Sequence, residues 1–116
     1  MNPGRYNITV YQGTTFQLSP QWLIDNLPVN LTGYSATMQV RKFTSSPSPL
    51  VTASTSNGLI AINAAQGQIA ISIPAATTAT WPADNYMYDL NLTAPDGVTV
   101  YKILTGTFVV AASVVQ

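Results

Sequence analysis

The chain has 116 residues, with 4 Lys or Arg, 4 Asp or Glu, a formal net charge of zero and 7% charged positions, against about a quarter in an average soluble domain. His, Cys and Glu are absent, and the acids are Asp25, Asp84, Asp89 and Asp96. That removes disulfide frameworks, thiolate zinc sites, Cys nucleophiles and the usual His or Glu bases. The cations Arg5, Arg41, Lys42 and Lys102 are too scattered to neutralise a run of phosphates, so no nucleic-acid partner is expected. No apolar run reaches the ~18 residues of a membrane helix, and the first residues carry no secretory-type apolar core, so no membrane partner is expected either.

The length fits one domain, residues 1–116, with an N-terminal arm over about residues 1–5. From there the apolar residues recur almost entirely with period two, the pattern of an all-β antiparallel sandwich. Tyr6 to Tyr11 reads as a first strand, ended by Gly13. Phe16 to Ile24 reads as a second, kinked or peripheral because Pro20 cannot donate to a ladder. Asp25 to Pro28 reads as a turn into Val29 to Leu31, and Tyr34 to Phe43 as a long strand with Ala36, Met38 and Val40 inward. The Ser/Pro run at residues 44–49 is a loop before a strand at Leu50 to Ser54.

Asn57-Gly58 and Gln66-Gly67 mark tight turns around Leu59 to Ile62 and into Gln68 to Ile73, where Ile69, Ile71 and Ile73 share one face. Pro74 to Trp81 breaks the alternation: Pro at a first helical position, then Ala and Thr, then Pro82, predict a short helical turn near residues 74–81. Tyr86 to Thr93 returns to period two, with Tyr86, Tyr88, Leu90 and Leu92 inward. Pro95-Asp96-Gly97 joins it by a type I turn to Val98 to Thr105, after which a bulge at Gly106 is expected to precede a last strand, Thr107 to Val115.

The chemistry available is thin. Asp25 and Asp96 lie in predicted turns and Asp84 and Asp89 at or on a strand, so paired-carboxylate catalysis has no candidate pair. A calcium site from Asp84, Asn85 and Asp89 lacks the spacing of a calcium loop. No nucleophile or phosphate-loop motif occurs, so neither catalytic residues, nor a cofactor, nor a metal site is assigned. The strings starting at Asn7, Asn30 and Asn91 match the N-glycosylation pattern, but roughly two are expected by chance in so Asn-, Ser- and Thr-rich a chain. The aromatics Tyr6, Tyr11, Trp22, Tyr34, Trp81, Tyr86, Tyr88 and Tyr101 fill or cap a core in most sandwiches. Tyr11 and Tyr101, on the opposite phase from the inward residues of their strands, are the candidates for exposed contact. Residues 108–115 are apolar on both faces, so they are expected in a central strand or under a partner. The interface candidates are therefore Asn2, Pro3 and Arg5 in the arm, Tyr11, Tyr101, Val109 and Val114.

Taken in order, the segments Ile8 to Phe16, Pro28 to Tyr34 with its strand to Lys42, Gly67 to Pro74, Trp81-Pro82-Ala83, Tyr86 to Thr93 and Pro95-Asp96-Gly97 resemble small phage and prophage structural proteins. That group includes the N-terminal domain of baseplate upper proteins from phages of Gram-positive bacteria. The resemblance implies an immunoglobulin-like sandwich, a place in the virion after assembly in the host cytoplasm, and a non-enzymatic role as tail or baseplate adaptor or fibre-initiating connector. The implied partners are further copies, a trimer being favoured, and other tail, baseplate or fibre proteins. A capsid decoration protein is the nearest alternative, and a carbohydrate-binding sandwich module is one of another class.

Overall fold

Alternating buried and exposed side chains organise two sheets in the computed structural model, which describes residues 4–42 and 48–114. The strands are β1 (Gly4–Arg5), β2 (Ile8–Tyr11), β3 (Phe16–Leu18), β4 (Leu23–Ile24), β5 (Leu27–Pro28), β6 (Ser35–Arg41), β7 (Val51–Ser54), β8 (Ile60–Asn63), β9 (Gln68–Ile73), β10 (Asp84–Thr93) and β11 (Val100–Ala111). One helical turn, α1 (Ala75–Thr78), lies between β9 and β10. The larger sheet runs β1-β11-β10-β6-β7, with β2 also on β11; the smaller runs β3-β9-β8, and β4 and β5 pair only with each other. In the immunoglobulin scheme β3, β9 and β8 take the places of strands B, E and D, and β7, β6, β10 and β11 those of C′, C, F and G.

The inner faces meet in a core that includes Met38, Val40, Ile69, Ile71, Ile73, Leu90, Leu92 and Phe108, all essentially without solvent exposure. Phe108 is its hub. Its ring meets those of Phe16 at 5.6 Å, Trp81 at 5.8 Å and Tyr88 at 6.2 Å, each near edge-to-face, the arrangement the ring quadrupoles favour. Because Phe16 lies on the smaller sheet and Phe108 on the larger, this contact spans the sandwich.

Two polar devices close the end near α1. Tyr86, at the start of β10, donates its hydroxyl to the Pro82 carbonyl at 2.9 Å, the bond of an immunoglobulin tyrosine corner. Thr78 is fully buried, yet its Oγ1 accepts from the Gly13 amide at 3.1 Å and donates to the Thr14 carbonyl at 2.7 Å. A buried hydroxyl so satisfied ties α1 to the β2–β3 turn without a desolvation penalty.

The N-terminal strands depart from the expected all-antiparallel pairing: β1 and β2 both lie parallel to β11, Gly4 opposite Leu104 and Ile8 opposite Phe108. Between them Tyr6 folds its main chain over Gly106. A Cβ at 106 would stand 2.3 Å from the Tyr6 carbonyl oxygen, so glycine is required here for close approach. The expected bulge at Gly106 does not exist, and β11 is one strand through it. The irregularity falls earlier, where Leu90 and Asn91 face Leu104 and Lys102, which leaves Ile103 as an extra residue.

Other differences have local causes. The expected strand Phe16 to Ile24 ends at Leu18, because Pro20 offers only a carbonyl, taken by the Ile69 amide at 2.9 Å. Ile24, on the same even-numbered phase as the buried Phe16, is 55% exposed. Asp25 and Asn26 both have positive φ, 53° and 64°, so they are the two central residues of a primed turn and Leu27–Pro28 pairs back on Leu23–Ile24. Val29 to Leu31 is therefore not a strand; the Val29 and Leu31 amides bond to Trp22 and Ala64 carbonyls. Pro74 occupies the N-cap rather than the first helical position. Gln68–Ile73 and the turn at Pro95-Asp96-Gly97, with Gly97 at φ 74°, form as expected. Phe43 and most of the Ser/Pro loop lie outside the described residues.

Replacing Gly106 by Ala is expected to lower stability by ~2 kcal/mol or more, since backbone rather than a flexible side chain must yield; an unchanged urea midpoint would refute the crossing at Tyr6. The Tyr88 hydroxyl donates to the Tyr6 carbonyl at 2.7 Å. Burial first, then the charges of Tyr6 and Asp89, push its pKa from 10.0 up to about 12. The folded state thus keeps a proton that the unfolded chain loses near pH 10, so the stabilisation is complete below pH 10 and lost as pH rises towards 12. Tyr88→Phe is expected to flatten that alkaline decline in denaturant titrations from pH 9 to 12.

Candidate interaction surface

The strand order presents two candidate contact surfaces among the described residues, an end and a face. Ser35 of β6 lies opposite Thr93 of β10, so the segment between β3 and β6 and the β10–β11 turn emerge at the same end. A Cβ at position 33 would stand 3.0 Å from the Pro95 ring there. Trp22 anchors this end, its ring 6.4 Å from Tyr34 and 5.4 Å from Tyr101, and its amide bonds to the Gly67 carbonyl at 2.7 Å. From this anchor the β4–β5 hairpin carries Leu23, Ile24 and Leu27 into solvent, and the chain entering β11 does the same with Val98 and Val100. Leu27 and Val98 are 68% and 81% exposed. Scattered exposed apolar residues are ordinary, but five on neighbouring segments at one end are a candidate contact surface.

This end is acidic. Asp25 sits at the hairpin tip, and Asp96 in the β10–β11 turn accepts from the Val98 and Thr99 amides and the Thr99 hydroxyl. Those bonds hold the Asp96 carboxyl below its usual range. No Lys or Arg occurs between residues 19 and 40 or between 90 and 101.

The second surface is the outer face of the larger sheet. A depression of about 480 Å³ lies across β6, β10 and β11, with Arg5, Arg41 and Lys102 among its lining, Asp89 and Met87 between them, and Thr and Gln elsewhere. Lys102 pairs with Asp89 at 3.3 Å, and Arg41 donates to Gln39 at 2.9 Å. Three of the four cations thus share one sheet face with one acid, while Lys42 pairs with Asp84 at the far end. Asn91 Oδ1, beneath this face, is shut from water with no hydrogen-bond partner among the described residues. Asp84 and Asp89 fall on opposite faces of β10, and no group of three or more metal-ligating acids occurs among the described residues.

The interface candidates divide along these lines. Arg5, Tyr11 and Val109 share the outer face, Arg5 opposite Thr105 and Val109 opposite Thr9. Tyr101, expected on an exposed phase, packs instead on Trp22, because the extra residue at Ile103 shifts every earlier position of β11 to the other face. Val114 is fully exposed beyond β11. Asn2 and Pro3 lie outside the described residues. With β10 on one side and β1 and β2 on the other, β11 is a central strand; residues 108–115 were expected in such a strand or under a partner, and of these 108–111 lie in β11 while 112–114 lie beyond its end. Sequence reasoning missed the hairpin, whose signal was Asp-Asn between apolar pairs, and the gathering of cations, which needed the register.

The aromatic set forms no exposed paired platform. Trp81, Tyr86 and Tyr88 are buried, Tyr34 and Tyr101 each pack on Trp22, and Tyr6 and Tyr11 are exposed.

No family model matches the chain, and no curated protein matches it. A solved structure, the N-terminal domain of phage TP901-1 ORF48, superposes with a TM-score of 0.59 at 10% sequence identity, over 95% of this chain and 90% of that one. What the two share is the fold. The alignment covers the sandwich almost end to end.

Leu27→Ser is expected to leave the melting temperature within a few degrees of wild type, since an exposed substitution alters stability by ~0.5 kcal/mol or less. Trp22→Ala is expected to cost ~2 kcal/mol or more through the lost Tyr34 and Tyr101 contacts. Equal effects in thermal melts would show that the hairpin apolars serve the fold rather than a contact.

Proposed function

We propose that the chain is a non-enzymatic structural part of a phage virion, an adaptor or connector at the tail or baseplate that works by binding copies of itself and neighbouring virion proteins. The observation that carries this reading is the match to a phage protein domain over 95% of the chain, which agrees with the order of segments that made the sequence resemble baseplate proteins. A chain with 7% charged positions and an exposed apolar end add to it. Such a part needs contact surfaces rather than a reaction centre, and the residues available suit that: contacts can form from Thr, Ser, Asn, Gln and apolar groups, whose desolvation costs less than that of charges.

On this reading the end bearing the β4–β5 hairpin and the outer sheet face are the contact surfaces, and the assembly is virion-bound after formation in the host cytoplasm. A trimer is the symmetry favoured by the resemblance. The exposed Tyr6 and Tyr11 supply no stacked pair for a sugar ring, so the carbohydrate-module alternative has no observation in its favour.

Deleting the gene and imaging the resulting particles tests the reading. Tails lacking fibres or with incomplete baseplates are expected, with heads unaffected. Complete tails, or antibody label on heads rather than tails, would overturn it.

A further inference from the structure

The two surfaces are complementary to each other. The hairpin end projects Leu23, Ile24 and Leu27 around an acidic tip, Asp25, with Asp96 on the adjoining turn. The outer face is concave, holds Met87 at 38% exposure, and carries Arg5, Arg41 and Lys102 against a single Asp89. An isologous contact of hairpin end on hairpin end would bring acids together with no cation beside them, and face on face would oppose cation surpluses; like charges at close range cost binding. End against face pairs an excess of acids with an excess of bases and covers apolar residues on both sides. A chain of zero net charge puts no long-range repulsion in the way.

We propose that the β4–β5 hairpin of one copy docks in the outer-face depression, across β6, β10 and β11, of a second copy, head to tail. The inference rests on the reading of the chain as a self-associating structural part and specifies the contact. Asp25 meets the cation rim of Arg5 and Lys102, and Leu27 and Ile24 cover Met87. Because the two patches are unlike, the contact is heterologous and repeats, closing into a ring or continuing as a filament. The primed turn at Asp25-Asn26 suits the role: both residues are held at positive φ by the hairpin itself, so the tip is preformed and little ordering cost falls on binding.

Two variants that each remove one side of the contact make the test. Leu27→Asp spoils the hairpin and leaves the depression intact; Met87→Glu, with Lys102→Glu as a second version, spoils the depression and leaves the hairpin intact. Wild type is expected to give a light-scattering mass of two or more chains, and each variant alone the mass of one, with unchanged circular dichroism. Mixing isotope-labelled Leu27→Asp with unlabelled Met87→Glu restores one contact and no more. Amide shifts in the labelled chain should then cluster at Arg5, Lys102 and Thr105, and unlabelled Leu27→Asp should produce none. Variants that assemble like wild type, or a mixture without those shifts, overturn the docking mode while leaving self-association standing. A wild type that remains monomeric at every concentration, with no shifts in the mixture, overturns both.

Discussion

The flank of β11 that faces away from β10 depends on the main chain at Tyr6 crossing the side-chain-free position at Gly106. The crossing lets β1 and β2 continue in one register along β11, two short strands on either side of a step, and the step's carbonyl is not left bare because Tyr88 donates to it. The Tyr6 amide bonds to Thr105 on the same strand. With both flanks of β11 occupied, a segment apolar on both faces becomes interior rather than an edge, which removes an aggregation hazard that its sequence would otherwise create. The same seating delivers Phe108 to the centre of the core, where it bridges the sheets through Phe16, and delivers Arg5 to the outer face.

Much of the fold was legible because period-two patterning reports burial directly. Gln68–Ile73 alternates without interruption, and its three isoleucines are buried; Ala36, Met38 and Val40 behave likewise. The pattern failed where an effect other than burial set the local geometry. At Asp25-Asn26 the chain turns through two left-handed residues, and because Pro28 follows closely the sequence reads as a turn from Asp25 to Pro28, one residue later than the observed turn from Ile24 to Leu27. At Ile103 a single extra residue in β11 exchanges the faces of Tyr101 and Lys102, something no count along one strand can reveal, since a bulge exists only relative to the partner. At Gly106 the glycine was read as a bulge, but its cause is a close approach by a segment a hundred residues earlier.

The candidate surface was less legible than the fold for the same reason. Arg5, Arg41 and Lys102 are spread across the chain, and their gathering on one face follows from three separate registers, one parallel and two antiparallel. The hairpin was hidden by its shortness: two residues a side give no periodicity. Once the register is known, Arg5, Tyr11 and Val109, three of the interface candidates, fall on that same face, whereas Tyr101 leaves the set because it is consumed in anchoring Trp22.

With so few charges, placement matters more than number. Exposed ion pairs contribute little to stability, and the two here, Lys42 with Asp84 and Lys102 with Asp89, are both near half exposed. A fold that rests on Phe108, Thr78 and the Tyr6 crossing does not need them. Charges dispensable for folding are free to set which surfaces may meet, through attraction between unlike patches and repulsion between like ones. Asp25 and Asp96 mark one end, Arg5, Arg41 and Lys102 one face, and the neutral polar residues between them can be buried against a neighbour without stripping water from an ion. On the proposed reading, a composition short of the usual catalytic side chains suits a surface built to be covered, and the asymmetry of its few charges gives that covering a direction.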